Sequence, residues 1–144
     1  MKFERILVPI DFSDQSRLAL RAADELATSY GATLKLLHVH AIVGVAVMDF
    51  TYIERPQDVV RVVEAAEAQL RGWAQELQTP QSRLQVEVAT GDPVLEIVRR
   101  TEEVDLTVLS THGRTGLTRL LIGSVAERVV RGSHSSVLVV RAKA

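Results

Sequence analysis

The sequence predicts an α/β fold: an open, doubly wound, five-stranded parallel sheet with helices on both faces. Three observations lead there. Short apolar runs rich in β-branched residues recur five times, at residues 5–9, 33–40, 84–89, 105–110 and 136–141. Segments with apolar residues at helical spacing lie between them. Gly, Asp and Pro punctuate the junctions. The resulting order, βαβαβαβαβ, makes the strands mostly parallel and places crossover helices on both faces.

Each element follows from its own pattern. Arg5 to Pro9 suits a strand buried on both sides. Asp11-Phe12-Ser13-Asp14 is rich in helix-capping residues, and Ala19, Ala23, Leu26 and Tyr30 then mark one helical face, closed by Gly31. Thr33 to His40 is the second strand, and Ala41 to Pro56 reads as a long connection. Val59, Val63, Ala66, Leu70, Trp73 and Leu77 form the apolar face of the longest helix, which ends before Pro80. Leu84 to Ala89 alternates like a strand with one exposed face. Gly91-Asp92-Pro93 then supplies a turn, an N-cap and a first-turn proline for a short helix carrying Val94, Ile97 and Val98. Asp105 to Ser110 is the fourth strand. The last helix begins near Leu120 or Ser124 and runs to Arg131, and Ser136 to Arg141 is the fifth strand.

Composition bounds the function. A chain of 144 residues is expected to form one domain, spanning 1–144. With 47% hydrophobic residues and a net charge of −1 it is not a disordered chain. It contains no cysteine, which excludes disulfides, Cys–zinc sites, iron–sulfur clusters and a thiol nucleophile, and no asparagine, which excludes N-glycosylation. The apolar stretch Ile6 to Ile10 is too short for a signal-peptide core, and Ala41 to Phe50 falls well short of the ~20 residues of a membrane helix. A cytoplasmic protein without membrane contact is expected. Residues 1–98 carry net −5 and residues 99–144 net +4. That asymmetry suits an anionic ligand near the C-terminal third, with ordinary charge imbalance as the alternative. A nucleic-acid surface is not expected of a chain that is not basic overall and is 4% aromatic.

Ligands of doubly wound sheets bind beyond the carboxyl ends of the strands, where the strand order switches. The segment from Ser110 to Ser124 follows such an end. It contains Gly113, Gly116, Gly123, several hydroxyl residues, Arg114 and Arg119. Glycines let backbone N–H groups approach an anion, and a helix starting at Ser124 adds further N–H groups and the positive end of its dipole. Neither G-K-[ST] nor G-x-G-x-x-G occurs, and the plain alternative is that these glycines only form turns. No G-x-S-x-G, H-E-x-x-H or spaced acid pair is visible, which points to binding or slow hydrolysis rather than metabolic catalysis. His38 and His40 face one side of a strand; a hydrogen-bonded structural pair is the expectation and a metal pair the alternative.

The chain resembles the universal stress proteins along nearly its whole length. The resemblance is carried by I-L-V-P-I-D-F-S-D at 6–14, L-L-H-V at 36–39, G-D-P at 91–93, S-T-H-G-R-T-G-L at 110–117, G-S-V-A-E-R-V-V-R at 123–131 and V-L-V-V-R at 137–141. It implies the adenine-nucleotide alpha-hydrolase-like sheet. Family members that bind ATP carry G-x2-G-x9-G-[ST]. Gly113, Gly123 and Ser124 match this pattern, and Ser110 stands in place of the first glycine. A serine there is accommodated if its φ is not positive. The resemblance implies ATP, with Mg²⁺ or Mn²⁺ on the phosphates. Asp11 would bind ribose or a metal-linked phosphate, and Pro9 and Ile10 would flank adenine. Val39 would contact adenine through its backbone, and Leu109 would line the base pocket. Ser110 and Gly113 would lie by ribose and the α-phosphate, and Gly123, Ser124 and Val125 would hold the β- and γ-phosphates. Each has a structural alternative: Asp11 and Ser124 as helix caps, Pro9, Val39 and Leu109 as ordinary strand ends.

The last strand, Val137 to Val140, is apolar at every position, and an exposed edge of that kind is a pairing surface. In the family it resembles, this strand pairs with its two-fold mate, so a homodimer is expected; coverage by another element of the same chain is the alternative. The apolar segment 41–52 would fold over the pocket, add to the dimer contact or dock an unidentified protein partner. The function implied is a nucleotide-responsive stress regulator. The alternative is a dimeric stress protein that binds no nucleotide and acts through protein–protein contacts.

Overall fold

Five parallel strands, β1 (Arg5–Pro9), β2 (Thr33–His40), β5 (Leu84–Thr90), β6 (Leu106–Ser110) and β7 (Ser136–Val140), form one sheet in the order β5-β2-β1-β6-β7. The computed structural model describes residues 1–42, 44–47, 50–111 and 122–142, with the backbone alone for 44–47 and 50–52. Helices α1 (Asp14–Tyr30) and α2 (Pro56–Gln75) cover one face, and α3 (Pro93–Arg100) and α4 (Ser124–Gly132) the other. Strand alternation sorts the core between them. Ile6, Val8, Leu34, Leu36, Leu106 and Val108 point to α1 and α2; Leu7, Leu37 and Leu109 point to α3 and α4. The open, doubly wound sheet read from the sequence is the fold observed.

Local chemistry sets the helix ends. Ser13 caps α1, its side chain accepting from the Ser16 N–H at 3.1 Å. Gly31 ends the helix at φ 68°, a left-handed conformation that glycine adopts without strain. Asp92 caps α3 by accepting from the Leu95 N–H at 2.9 Å, with Pro93 in the first turn, as the sequence predicts.

The segment read as a long connection contains structure. Strands β3 (Gly44–Val47) and β4 (Phe50–Ile53) form an antiparallel pair outside the main sheet. Residues 41–47 are apolar at odd and even positions alike, so the period-two signal of a strand is absent from them. The base of this pair is held to the end of β2 by His40, whose Nε2 lies 2.9 Å from Glu54 Oε2.

A charged cluster ties α3 to the sheet. Arg100 is 9% exposed; its guanidinium donates to Glu87 Oε1 through Nε at 2.7 Å and again through a terminal nitrogen, and to Glu96 Oε2 at 2.7 Å. Lys35 Nζ lies 2.6 Å from the other Glu87 oxygen. The hydrogen bonds from Arg100, together with Lys35, outweigh the opposing effect of burial and hold the Glu87 carboxyl at about 2, below its ordinary 4.5. A carboxyl lowered on folding stabilises the fold fully above its unfolded value, and that contribution is lost as pH falls from 4.5 toward about 2. In Glu87→Gln, melting temperature should therefore depend less on pH across that window. An unchanged acid limb in the variant would contradict this assignment.

Candidate functional site

The sheet opens where β1 and β6 separate. β1 pairs with β2 along its whole length, from Arg5–Thr33 to Pro9–Leu37, but with β6 only at Ile6–Leu106 and Leu7–Thr107. Successive residues of a strand direct their N–H groups to opposite neighbours. The Ile10 N–H goes to Leu37 O on the β2 side at 2.8 Å, so Pro9 is turned toward β6, and its nitrogen has no hydrogen to donate. The ladder stops at that proline. Connections run outward in opposite directions from β1 and β6, so this gap is the switch point of the fold.

A cavity of about 270 Å³ lies at this point. Leu37, Val39, Ile97, Leu109 and Val129 make it apolar on the sheet and helix sides, while Asp11, Ser110 and Ser124 bring polar groups. Nine residues singled out in the sequence line it: Pro9, Ile10, Asp11, Val39, Leu109, Ser110, Gly123, Ser124 and Val125. The tenth, Gly113, lies outside the described residues, as do His112, Arg114, Gly116 and Arg119.

The structural alternatives can be compared with the geometry. Asp11 does not cap α1; that position belongs to Ser13. Asp11 sits two residues earlier, and its Oδ1 accepts from the Ser13 N–H at 3.0 Å and from the Ser13 hydroxyl. Ser124 does not cap α4 either. Gly123 occupies the cap and offers no side-chain acceptor, so among the described residues α4 lacks the N-cap side-chain bond found on α1 and α3. Ser110 ends β6, and Phe12 is the one non-glycine residue at positive φ among the described residues. Serine in place of glycine at 110 is therefore unstrained.

His38, on the cavity wall, and Phe12, beside it, complete the surroundings. His38 lines the cavity, and its Nδ1 donates to the Ile10 carbonyl at 2.7 Å, which is a neighbour's hydrogen bond of the kind expected for a strand histidine. His40 has Glu54 as its partner, so the two histidines engage separate groups. Phe12 adopts φ 63°, with its ring 4.6 Å from His38 and 5.5 Å from Trp73. Among the described residues no cluster of three or more His, Cys, Asp or Glu could hold a metal ion, and Asp11 is the one carboxylate on the described cavity wall. No helix is long and apolar enough to cross a membrane, again among the described residues.

Comparison with known proteins agrees with this architecture. The model of the universal stress protein family matches residues 2–141. Universal stress protein MJ0531 of Methanocaldococcus jannaschii is 34% identical, over 96% of this chain and 82% of its own length. MJ0577 of the same organism is 29% identical over 98% of this chain and 96% of its own. Its solved structure superposes with a TM-score of 0.76, covering 100% of this chain and 99% of that one. A universal stress protein solved in complex with cAMP shares the fold, with a TM-score of 0.72 at 23% identity and coverage of 97% and 98%.

Proposed function

The chain belongs to the universal stress protein family, and from that premise we propose that residues 1–144 form one domain whose cavity binds an adenine nucleotide. The ligand is ATP with Mg²⁺ or Mn²⁺ on its phosphates, and the protein is a cytoplasmic, nucleotide-responsive stress regulator rather than a metabolic enzyme. One observation carries the reading: an apolar cavity opens at the switch point of the sheet, bounded by one carboxylate and a helix start whose cap has no side chain. The unstrained backbone at Ser110 supports it, because the one departure from the glycine motif then carries no backbone strain at that position.

In this reading Val39 and Leu109 border adenine together with Pro9 and Ile10. Asp11 serves ribose or a metal-linked phosphate, Ser110 and Gly113 lie by ribose and the α-phosphate, and Gly123, Ser124 and Val125 take the β- and γ-phosphates. A divalent cation would neutralise charge on the phosphates, and Asp11, the one carboxylate on the described wall, would be the residue to help hold it. A universal stress protein of the same fold is described in complex with cAMP, which is in keeping with an adenine nucleotide as the ligand proposed here.

The test is the melting temperature of nucleotide-stripped protein with millimolar ATP, ADP, cAMP or GTP and Mg²⁺. A ligand present at 100 times its dissociation constant stabilises by about 2.7 kcal/mol, so adenine nucleotides should raise the melting temperature by roughly 5–10 °C and GTP by much less. No shift with any adenine nucleotide would overturn the reading.

The same proposal includes a homodimer through β7. This strand is the outer member of the sheet, and Leu138 on it is 40% exposed. Coverage by another element of the chain is not seen among the described residues. Two-fold pairing of β7 would satisfy its outer edge and bury Leu138. Sedimentation equilibrium should give twice the 15.9 kDa chain mass, and a strict monomer would overturn this part.

A further inference from the structure

We propose that His38 and Phe12 are positioning residues for this cavity, holding the Ile10–Asp11 backbone so that Asp11 stays on its wall. The proposal rests on the reading of the cavity as a nucleotide site, but it begins from geometry independent of any ligand. The chain leaves β1 at Pro9, and the next residue is fixed from two sides. The Ile10 N–H donates to Leu37 O at 2.8 Å, and the Ile10 carbonyl accepts from His38 Nδ1 at 2.7 Å. A carbonyl oxygen only accepts, so Nδ1 carries the proton.

Phe12 is the unexpected member. Its φ of 63° is strained for an L-residue with a bulky side chain, and a turn with this backbone forms most readily with glycine or asparagine. The stabilisation that keeps phenylalanine there must come from its ring. The ring packs on the His38 imidazole at 4.6 Å and meets Trp73 edge-on at 5.5 Å, while the Arg17 guanidinium lies 4.0 Å over the Trp73 ring. Strained backbone persists where its surroundings over-determine it, and such strain gathers at ligand sites. Here it falls between Asp11, which lines the cavity, and Ser13, whose N–H and hydroxyl the Asp11 carboxylate accepts. His38 joins the two supports: one ring nitrogen holds Ile10, and the ring itself carries Phe12.

The experiment compares His38→Leu, which removes the donor and keeps apolar bulk, with His38→Asn, whose side-chain N–H can reach the Ile10 carbonyl. A plain packing role would rank leucine at or above asparagine. The first readout needs no ligand: exchange of the Ser13 amide, followed by NMR, reports the Asp11 turn directly. It should be faster than wild type in both variants and fastest in His38→Leu, because asparagine restores the donor to Ile10 but not the ring under Phe12. The second is ATP·Mg²⁺ affinity, expected to fall at least tenfold in His38→Leu and to stay within about threefold in His38→Asn. Equal Ser13 protection in all three proteins, or the same loss in both variants, overturns the positioning role. Wild-type protein that fails to bind ATP overturns the functional reading alone, because the amide readout still decides this one.

Discussion

Asp11→Ala is expected to weaken ATP·Mg²⁺ binding by roughly 30- to 100-fold. A hydrogen bond to a charged acceptor contributes about 1.5–3 kcal/mol, and each 1.4 kcal/mol is a factor of ten in affinity. Asp11 is placed for such a bond by the parting of β1 and β6 at Pro9, which leaves its carboxylate on the cavity wall. The carboxylate also accepts from the Ser13 N–H and hydroxyl, and Ser13 in turn caps α1. Part of the loss in Asp11→Ala therefore comes through a looser turn. Asp11→Asn separates the two contributions, since it keeps an acceptor for Ser13 and removes the charge. It should melt close to wild type and bind about tenfold more weakly. Titration of the three proteins under one set of conditions checks this, and wild-type affinity in Asp11→Ala would remove Asp11 from the site.

The second large effect is on stability. Asp24, on α1, is 8% exposed, and its carboxylate gathers the chain just beyond α2. Oδ2 accepts from the Gln78 N–H at 2.9 Å; Oδ1 accepts from the Thr79 N–H at 2.9 Å and the Thr79 hydroxyl at 2.7 Å. Thr79 is 1% exposed, so water does not readily replace these bonds. A buried donor left without a partner costs about 1–3 kcal/mol. With partial relief from water entering the space left by the carboxylate, Asp24→Ala should lose about 3 kcal/mol and roughly 10 °C in melting temperature. ATP affinity of the folded variant should be unchanged, because Asp24 is not among the residues lining the cavity. Calorimetric melting measures the first and titration below the transition the second. A loss under 1 kcal/mol would show that the carboxylate is not the tether.

Much of this architecture is written in local sequence. The strands are short β-branched runs whose partners are set by βαβ topology, and Gly31 and Asp92-Pro93 mark helix ends through backbone chemistry that depends on few neighbours. The residues around the cavity were legible for a similar reason. Pro9 to Asp11, Val39, Leu109 and Ser110 lie at strand ends, where a doubly wound sheet binds its ligands, whereas Gly123, Ser124 and Val125 were marked by the helix start and by the family resemblance. The rest depends on contacts distant in sequence. Asp24 and Thr79 are 55 positions apart, and nothing near either indicates the other. Arg100 reads as one more arginine of a helical last turn until Glu87 on β5 accepts from it. The β3–β4 pair lacked alternation over its first strand. Ser13, not Asp11, took the cap because Phe12 turns the chain through a conformation that a phenylalanine gives no reason to expect.

The central claim is that the gap between β1 and β6 is a nucleotide site that tolerates Ser110. Isothermal titration of nucleotide-stripped wild-type protein with ATP and Mg²⁺ tests it most directly. The account predicts saturable binding in the micromolar range, about −7 to −8 kcal/mol, with one ATP per chain. The absence of any binding heat up to millimolar ATP, together with an unchanged melting temperature, would contradict it.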